Sequence, residues 1–198
     1  MALIDIKPKQ SQRIKNEFKE IDKIQVYQCD LSKPTQIKNT FKINVAINQP
    51  FESYFKKIMH YPKEKFLQVV QDIKKSCIVI WGSEQEKEKA EWLSSESDYI
   101  QLMPKLSLDD LKCVIGHASL LIGNDTGPSH IAWASNIPSI ILFGPTPIER
   151  SFQTPINTVL SSNSKINHYK LNKNDFSIKE IKVSDVVKIA KELLGLSL

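Results

Sequence analysis

Residues 120–146 read LLIGNDTGPSHIAWASNIPSIILFGPT, and this stretch decides how the chain folds. An apolar run, Leu120, Leu121 and Ile122, breaks at Gly123-Asn124-Asp125-Thr126-Gly127-Pro128. A short helical pattern follows, and a second apolar run, Ser139 to Phe143, ends in Gly144-Pro145-Thr146-Pro147. The spacing predicts a strand, a tight turn, a helix and a second strand. Asn136 suits a left-handed helix exit and Pro138 forbids continuation.

The turn has the composition of an anion site. Gly127 permits close approach of a ligand and positive φ, Pro128 suits the first helical position, and the amides of Ser129 and His130 are expected to point back into the turn. A helix start there offers unpaired N–H groups and about half a unit of positive charge, which suits a phosphate or diphosphate. Asp125 and His130 stand at its mouth, one able to accept hydroxyl protons and the other able to contact a phosphate oxygen. Asp-Thr-Gly-Pro serves equally well as a plain strand-to-helix connection, with Asp125 or Thr126 capping.

Outward from this stretch, strands alternate with helices. Ile43 to Ile47, Cys77 to Trp81, Tyr99 to Leu102 and Thr158 to Leu160 read as further strands. Pro62 opens a helix with Phe66, Leu67, Val69, Val70 and Ile73 on one face. A second helix runs from about Glu84 to Leu93, with Glu86 in its first turn at the carboxyl end of a strand, where a carboxylate can accept ribose hydroxyls or complement the helix dipole. Ser107 with Asp110 resembles a capping box opening Leu108 to His117, whose terminal histidine caps against the dipole. Ser184 is expected to cap a final helix buried through Val186, Val187, Ile189, Ala190, Leu193 and Leu194. From residue 43 onward this is α/β, a doubly wound and mainly parallel Rossmann-like sheet. Residues 1–41 carry no site and read as a remnant of a preceding domain or an edge unit of the sheet.

With 198 residues, 41% of them hydrophobic, the chain holds one or at most two domains. No apolar run approaches the roughly 18 residues that span a bilayer, and Ala2 to Ile6, with Asp5, is too short for a signal peptide, so a cytoplasmic location is expected. Cys29, Cys77 and Cys113 lack metal-site spacing, and the latter two are expected as buried thiols. The formal charge is +5, yet Arg13 and Arg150 are the only arginines and the lysines lie beside glutamates, which argues against nucleic acid. Attraction to an anionic inner leaflet suits the charge better. There is no Gly-x-Gly-x-x-Gly turn after a strand, which argues against a dinucleotide-dependent oxidoreductase.

Three ordered segments carry a specific resemblance: Trp81 to Ala90, Leu102 to Leu108, and Asp-Thr-Gly-x-x-His-x-Ala from Asp125 to Ala132 with the following strand and Gly-Pro-Thr. Together, over roughly residues 42–196, they resemble glycosyltransferase family 9, the ADP-heptose:lipopolysaccharide heptosyltransferases. The resemblance implies that residues 42–198 are the C-terminal, nucleotide-sugar-binding half of a GT-B enzyme. It implies donor binding through Asp125, Thr126, Gly127, His130 and Glu86, with Leu106 beside the base and Thr146 beside the donor. Where the family places a diphosphate lysine ahead of the Tyr61-Pro62 pair, this chain has Met59, which leaves Lys57, or its neighbour Lys56, as the candidate.

The implied reaction is metal-independent, inverting transfer of heptose from ADP-heptose to the lipopolysaccharide or lipooligosaccharide inner core, with no cofactor. The family's general base is an aspartate in a glycine-containing loop of its N-terminal domain. Asp5 lacks that glycine turn, so no catalytic residue is identified in this chain. A lipid A/Kdo-type acceptor is then expected to be reached through a missing or separate N-terminal domain, with peripheral contact at the inner membrane. The alternative is a non-catalytic nucleotide-sugar-binding or interaction module lacking the acceptor domain.

Overall fold

Short runs of aliphatic residues make the centre of this sheet because its inner strands are covered on both faces, as parallel strands require. In the computed structural model, which describes residues 45–48, 60–151, 153–162, 172 and 174–197, six strands form one parallel sheet. They are β1 (Val45–Asn48), β2 (Cys77–Ile80), β3 (Ile100–Leu102), β4 (Leu121–Asn124), β5 (Ser139–Phe143) and β6 (Asn157–Ser161). Their order across the sheet is β3-β2-β1-β4-β5-β6. The register sets Ile47 opposite Val79 on one side and Ile122 on the other.

The connecting helices are α1 (Lys63–Ile73), α2 (Glu84–Ser95), α3 (Leu108–Gly116), α4 (Gly127–Ala134) and α5 (Val183–Leu193). Alternate strand residues divide the interior into two cores, as the two-residue period of a strand requires. Val45, Ile47, Cys77, Val79, Ile122, Ile140 and Leu142 pack with Phe66 and Val69 of α1, Ala90 and Leu93 of α2, and Val186 and Ala190 of α5. Ala46, Ile78, Ile80, Leu121, Ile141 and Phe143 pack on the other face with Val114 and Ile115 of α3 and Ala132 of α4. The sheet is therefore doubly wound, as expected. Removing a side chain such as Phe66 or Ile122 from water is worth about 1.5–3 kcal/mol each.

Several helix boundaries follow from local chemistry. Pro62 precedes α1, and Lys74 ends it in the left-handed region with φ 54°. Ser107 accepts from the amide of Asp110 while Asp110 Oδ2 accepts from the Ser107 amide, so the expected capping box forms. His117 closes α3 with Nδ1 against the carbonyl oxygen of Cys113 at 2.8 Å. Asn136 takes the left-handed exit after α4, with φ 56°.

Two expectations are corrected. Ser184 does not cap α5: it lies inside the helix, where its hydroxyl bonds the Asp185 carboxylate, and Lys182 is the capping residue without a side-chain bond. Cys113 is only half-buried, whereas Cys77 is fully enclosed and its thiol pKa is pushed up by that burial. The cores themselves account for the difference, because Cys77 is a central strand residue and Cys113 a flank of α3.

The face bearing α1 and α5 is also tied together by polar groups. Tyr61 donates to the carbonyl of Ile181, and Lys65 Nζ donates to the carbonyls of Lys179 and Ile181. The Tyr61 ring meets Phe66 edge-on, with centroids 5.2 Å apart. These contacts hold the segment before α5 against the start of α1.

Candidate functional site

Because all six strands run in parallel, the loops that follow them emerge along one edge. The chain runs outward from β1 through β2 to β3, then crosses back beyond β1 to β4, so β1 and β4 are neighbours whose connections leave in opposite directions. Such a switch point opens a crevice at the carboxyl edge, where open α/β sheets take their ligands. The Asp125-Thr126-Gly127 turn leaves β4 at this crevice.

The turn is built from β4's last residue. Asn124 is fully buried, and its carbonyl accepts the Ser129 hydroxyl at 2.6 Å and, at a marginal 3.4 Å, the Thr126 hydroxyl. These bonds fasten the first turn of α4 to the strand. His130 then projects from that turn with its Nε2 3.2 Å from Asp125 Oδ1, while 55% of the His130 side chain stays exposed. The imidazole and the Trp133 ring meet edge-to-face with centroids 4.9 Å apart, which restricts the imidazole's swing.

The helix start differs in detail from expectation. Gly127 is the first helical residue and Pro128 the second, and Gly127 does not have positive φ. A Cβ at Gly127 would meet no atom within 4 Å, so the glycine leaves open space at the mouth of the turn. The amides of Ser129 and His130 both donate to the Thr126 carbonyl, at 3.1 and 3.3 Å, instead of pointing free into the turn. Pro128 has no N–H, so the helix presents an anion chiefly with the Gly127 amide, the aligned peptide dipoles and the His130 ring.

Glu86 lies at the same edge, one strand beyond β1. It is the third residue of α2, and its Oε2 accepts the amides of Gly82 at 2.5 Å and Ser83 at 3.0 Å, while Ser83 accepts the amide of Glu86. This second capping box is legible in the sequence as Ser-x-x-Glu at 83–86, a signal not used above. Glu86 Oε1 takes no hydrogen bond from a described residue and remains available as an acceptor.

Beyond it, β3 leads into Met103 to Leu106. Met103 is buried and Leu106 half-buried against the α3–α4 core. Trp81 Nε1 donates to the Met103 carbonyl at 2.6 Å, joining the ends of β2 and β3. This tryptophan was a part of a family segment but carried no assigned role. On the opposite flank, after β5, Thr146 has its hydroxyl oxygen buried with no hydrogen-bond partner among the described residues.

The edge thus brings Leu106, Glu86, the Asp125–His130 turn and Thr146 into one row, in the strand order β3, β2, β4 and β5, with β1 inside it. Lys56 and Lys57, with residues 1–41, lie outside the described residues. Among the described residues no group of three or more His, Cys, Asp or Glu side chains is arranged to hold a metal ion, and no helix is long and apolar enough to cross a membrane.

Comparison with known proteins points in one direction. The profile of glycosyltransferase family 9 (heptosyltransferase) matches residues 11–181. A lipopolysaccharide heptosyltransferase 1 of Campylobacter coli is 40% identical over 146 residues, covering 68% of this chain and 43% of that protein. Its counterpart in Escherichia coli K12 is 33% identical over 90 residues, or 44% of this chain and 28% of that protein. The matched regions cover less than half the length of these relatives. Among solved structures, a family 9 glycosyltransferase of Veillonella parvula superposes with TM-score 0.69 at 18% identity, over 96% of this chain and 52% of that one. The E. coli heptosyltransferase WaaC with ADP-2-deoxy-2-fluoro heptose superposes with TM-score 0.61 at 19% identity, over 96% and 57%. At these identities the structures speak for the fold.

Proposed function

The chain belongs to glycosyltransferase family 9, and on that premise we propose that residues 42–198 are the donor-binding half of a heptosyltransferase. The donor is ADP-heptose and the acceptor the lipopolysaccharide inner core, reached at the inner face of the inner membrane through an N-terminal GT-B domain. One observation carries the reading. From β3 to β4 there are three inter-strand spacings, about 14 Å, and along them the residues change in the order apolar slot, carboxylate, helix start and Asp–His pair. That is the order of the parts of an extended nucleotide sugar: base, ribose, diphosphate, sugar.

In this assignment Leu106 flanks adenine, Glu86 Oε1 accepts ribose hydroxyls, and the start of α4, with the Thr126 and Gly127 backbone and His130, holds the diphosphate. Lys57 adds positive charge from the segment after β1, Asp125 accepts sugar hydroxyls, and Thr146 donates to the donor from the β5 side. The acceptor oxygen attacks the anomeric carbon, the bond from that carbon to the β-phosphate oxygen breaks, and the configuration inverts. The helix end and His130 stabilise the negative charge on departing ADP without a metal ion. The proton of the acceptor hydroxyl passes to a base on the N-terminal domain.

The test is calorimetric titration of the purified chain with ADP, ADP-heptose, UDP and NADH in metal-free buffer. Binding of ADP and ADP-heptose, with UDP and NADH excluded, is expected. Tight NADH binding, or no preference for the adenine diphosphates, would overturn the reading.

A further inference from the structure

Trp81 is the first residue past β2, and its two halves face different tasks. Its backbone leads directly into Gly82 and Ser83, whose amides both bind Glu86 Oε2. Its indole N–H reaches sideways to the Met103 carbonyl, at 2.6 Å, three residues before Leu106. Met103 is itself held by its amide on the Val79 carbonyl at 3.1 Å, so the loop it opens is anchored on both sides of one residue.

The ring is half-exposed at the carboxyl edge and flanked by two ammonium groups, Lys87 Nζ at 5.8 Å and Lys105 Nζ at 5.9 Å from its centroid. Lys105 belongs to the β3 loop and Lys87 to α2, so the indole contacts both walls of the space between Glu86 and Leu106. Pairing of β2 with β3 stops at Val79 opposite Leu102, and among the described residues the Met103 amide on the Val79 carbonyl is the last backbone bond between them. Beyond it, the bond that joins the two loops is the one from the indole to the Met103 carbonyl.

We infer that Trp81 is a positioning residue that sets the gap between the Gly82–Glu86 turn and the Met103–Leu106 loop, and so the fit of the nucleoside of a nucleoside diphosphate. The inference rests on the donor-site reading above and deepens it. It names a side chain that touches neither phosphate nor sugar and controls only the nucleoside end. Without the indole N–H, the Met103 carbonyl turns to water and the loop drifts from Glu86, while the Asp125–His130 turn, on the far side of β1, is untouched.

Trp81→Phe removes the N–H, together with the second ring of the indole, and keeps an aromatic face for Lys87 and Lys105. Calorimetry with ADP and with inorganic pyrophosphate reads the two ends of the site separately. Loss of one neutral hydrogen bond predicts about fivefold weaker ADP binding, with pyrophosphate binding unchanged. Equal ADP affinity in the variant and the unaltered chain, or equal losses for both ligands, would overturn the inference. Should the variant fold poorly, the unaltered chain supplies a second test: ADP should slow amide hydrogen exchange across residues 103–107, and pyrophosphate should not. Matching exchange with both ligands would also overturn it. Absence of any ADP binding by the unaltered chain would instead refute the donor-site reading, and this inference with it.

Discussion

His130 Nε2 lies 3.2 Å from Asp125 Oδ1 across the first turn of α4, joining the residue after β4 to the helix it leads into. The pair is partly open to water, with 55% of the His130 side chain and 23% of the Asp125 side chain exposed. An exposed contact of this kind adds little stability, about 0–1 kcal/mol. Its placement at a helix start beside a crevice fits the donor-binding role proposed for it.

Asp125→Ala and His130→Ala should therefore fold normally and differ in what they bind. The aspartate variant is expected to weaken ADP-heptose more than ADP, because in the proposed site only the sugar meets Asp125. The histidine variant should weaken both by a similar factor, on the order of tenfold for one lost charge-assisted bond of about 1.5 kcal/mol. Calorimetry with the two ligands decides it: equal losses for ADP and ADP-heptose in Asp125→Ala would remove the sugar role.

Glu86 serves two masters in this scheme, a helix cap through Oε2 and a ribose through Oε1. Glu86→Ala should cost about 1 kcal/mol of stability from the lost cap and also lower ADP affinity. Glu86→Gln retains an acceptor for the cap, so it should melt close to the unaltered chain while still binding ADP less well. Thermal melts paired with ADP titrations separate the roles, and a glutamine variant with unchanged ADP affinity would confine Glu86 to the cap.

Thr146 buries a hydroxyl oxygen that has no partner among the described residues. Leaving such a group dry costs about 1–3 kcal/mol, so Thr146→Val should raise the melting temperature of the free chain. If the hydroxyl waits for the donor, the same variant should weaken ADP-heptose binding. A variant that is more stable and binds ADP-heptose as before would make Thr146 a packing residue only.

Tyr61 supplies a pH prediction. Burial first, and the Asp185 carboxylate second, push its phenol from 10.0 up to about 12. The folded chain thus keeps the Tyr61 proton where the unfolded chain has lost it. Its contribution is complete below pH 10 and declines as pH rises towards about 12. Denaturant melts across that window should show falling stability, and Tyr61→Phe should flatten the fall. The same variant should cost about 1 kcal/mol at neutral pH, since the bond to the Ile181 carbonyl is lost. An unchanged alkaline slope in the phenylalanine variant would assign the loss to other groups.

Local signals wrote much of this fold into the chain. The aliphatic runs at Cys77 to Ile80 and Ser139 to Phe143, the prolines at 62 and 138, the Ser107–Asp110 box and the left-handed Asn136 each act within a few residues of themselves. For that reason the strands, the helices and the Asp-Thr-Gly-x-x-His turn are legible in the sequence, and with them the α/β class, while the family shows through the resemblance of three ordered segments. The differences are also local: Ser184 lies inside the first turn of α5 instead of capping it, and Gly127 lacks the positive φ that glycine permits, because composition does not report backbone dihedrals.

The order of strands could not be read in this way. Nothing in the run Val45 to Asn48 says that it will lie between β2 and β4, since that is settled by how six apolar strands bury both faces together. Only this long-range arrangement sets Leu106, Glu86, Asp125 and Thr146, up to 60 positions apart, along one edge. It also decides that the Trp81 indole meets the Met103 carbonyl across 22 residues of chain. Sequence determined the elements and the chemistry each carries; burial of the shared core determined which of them meet.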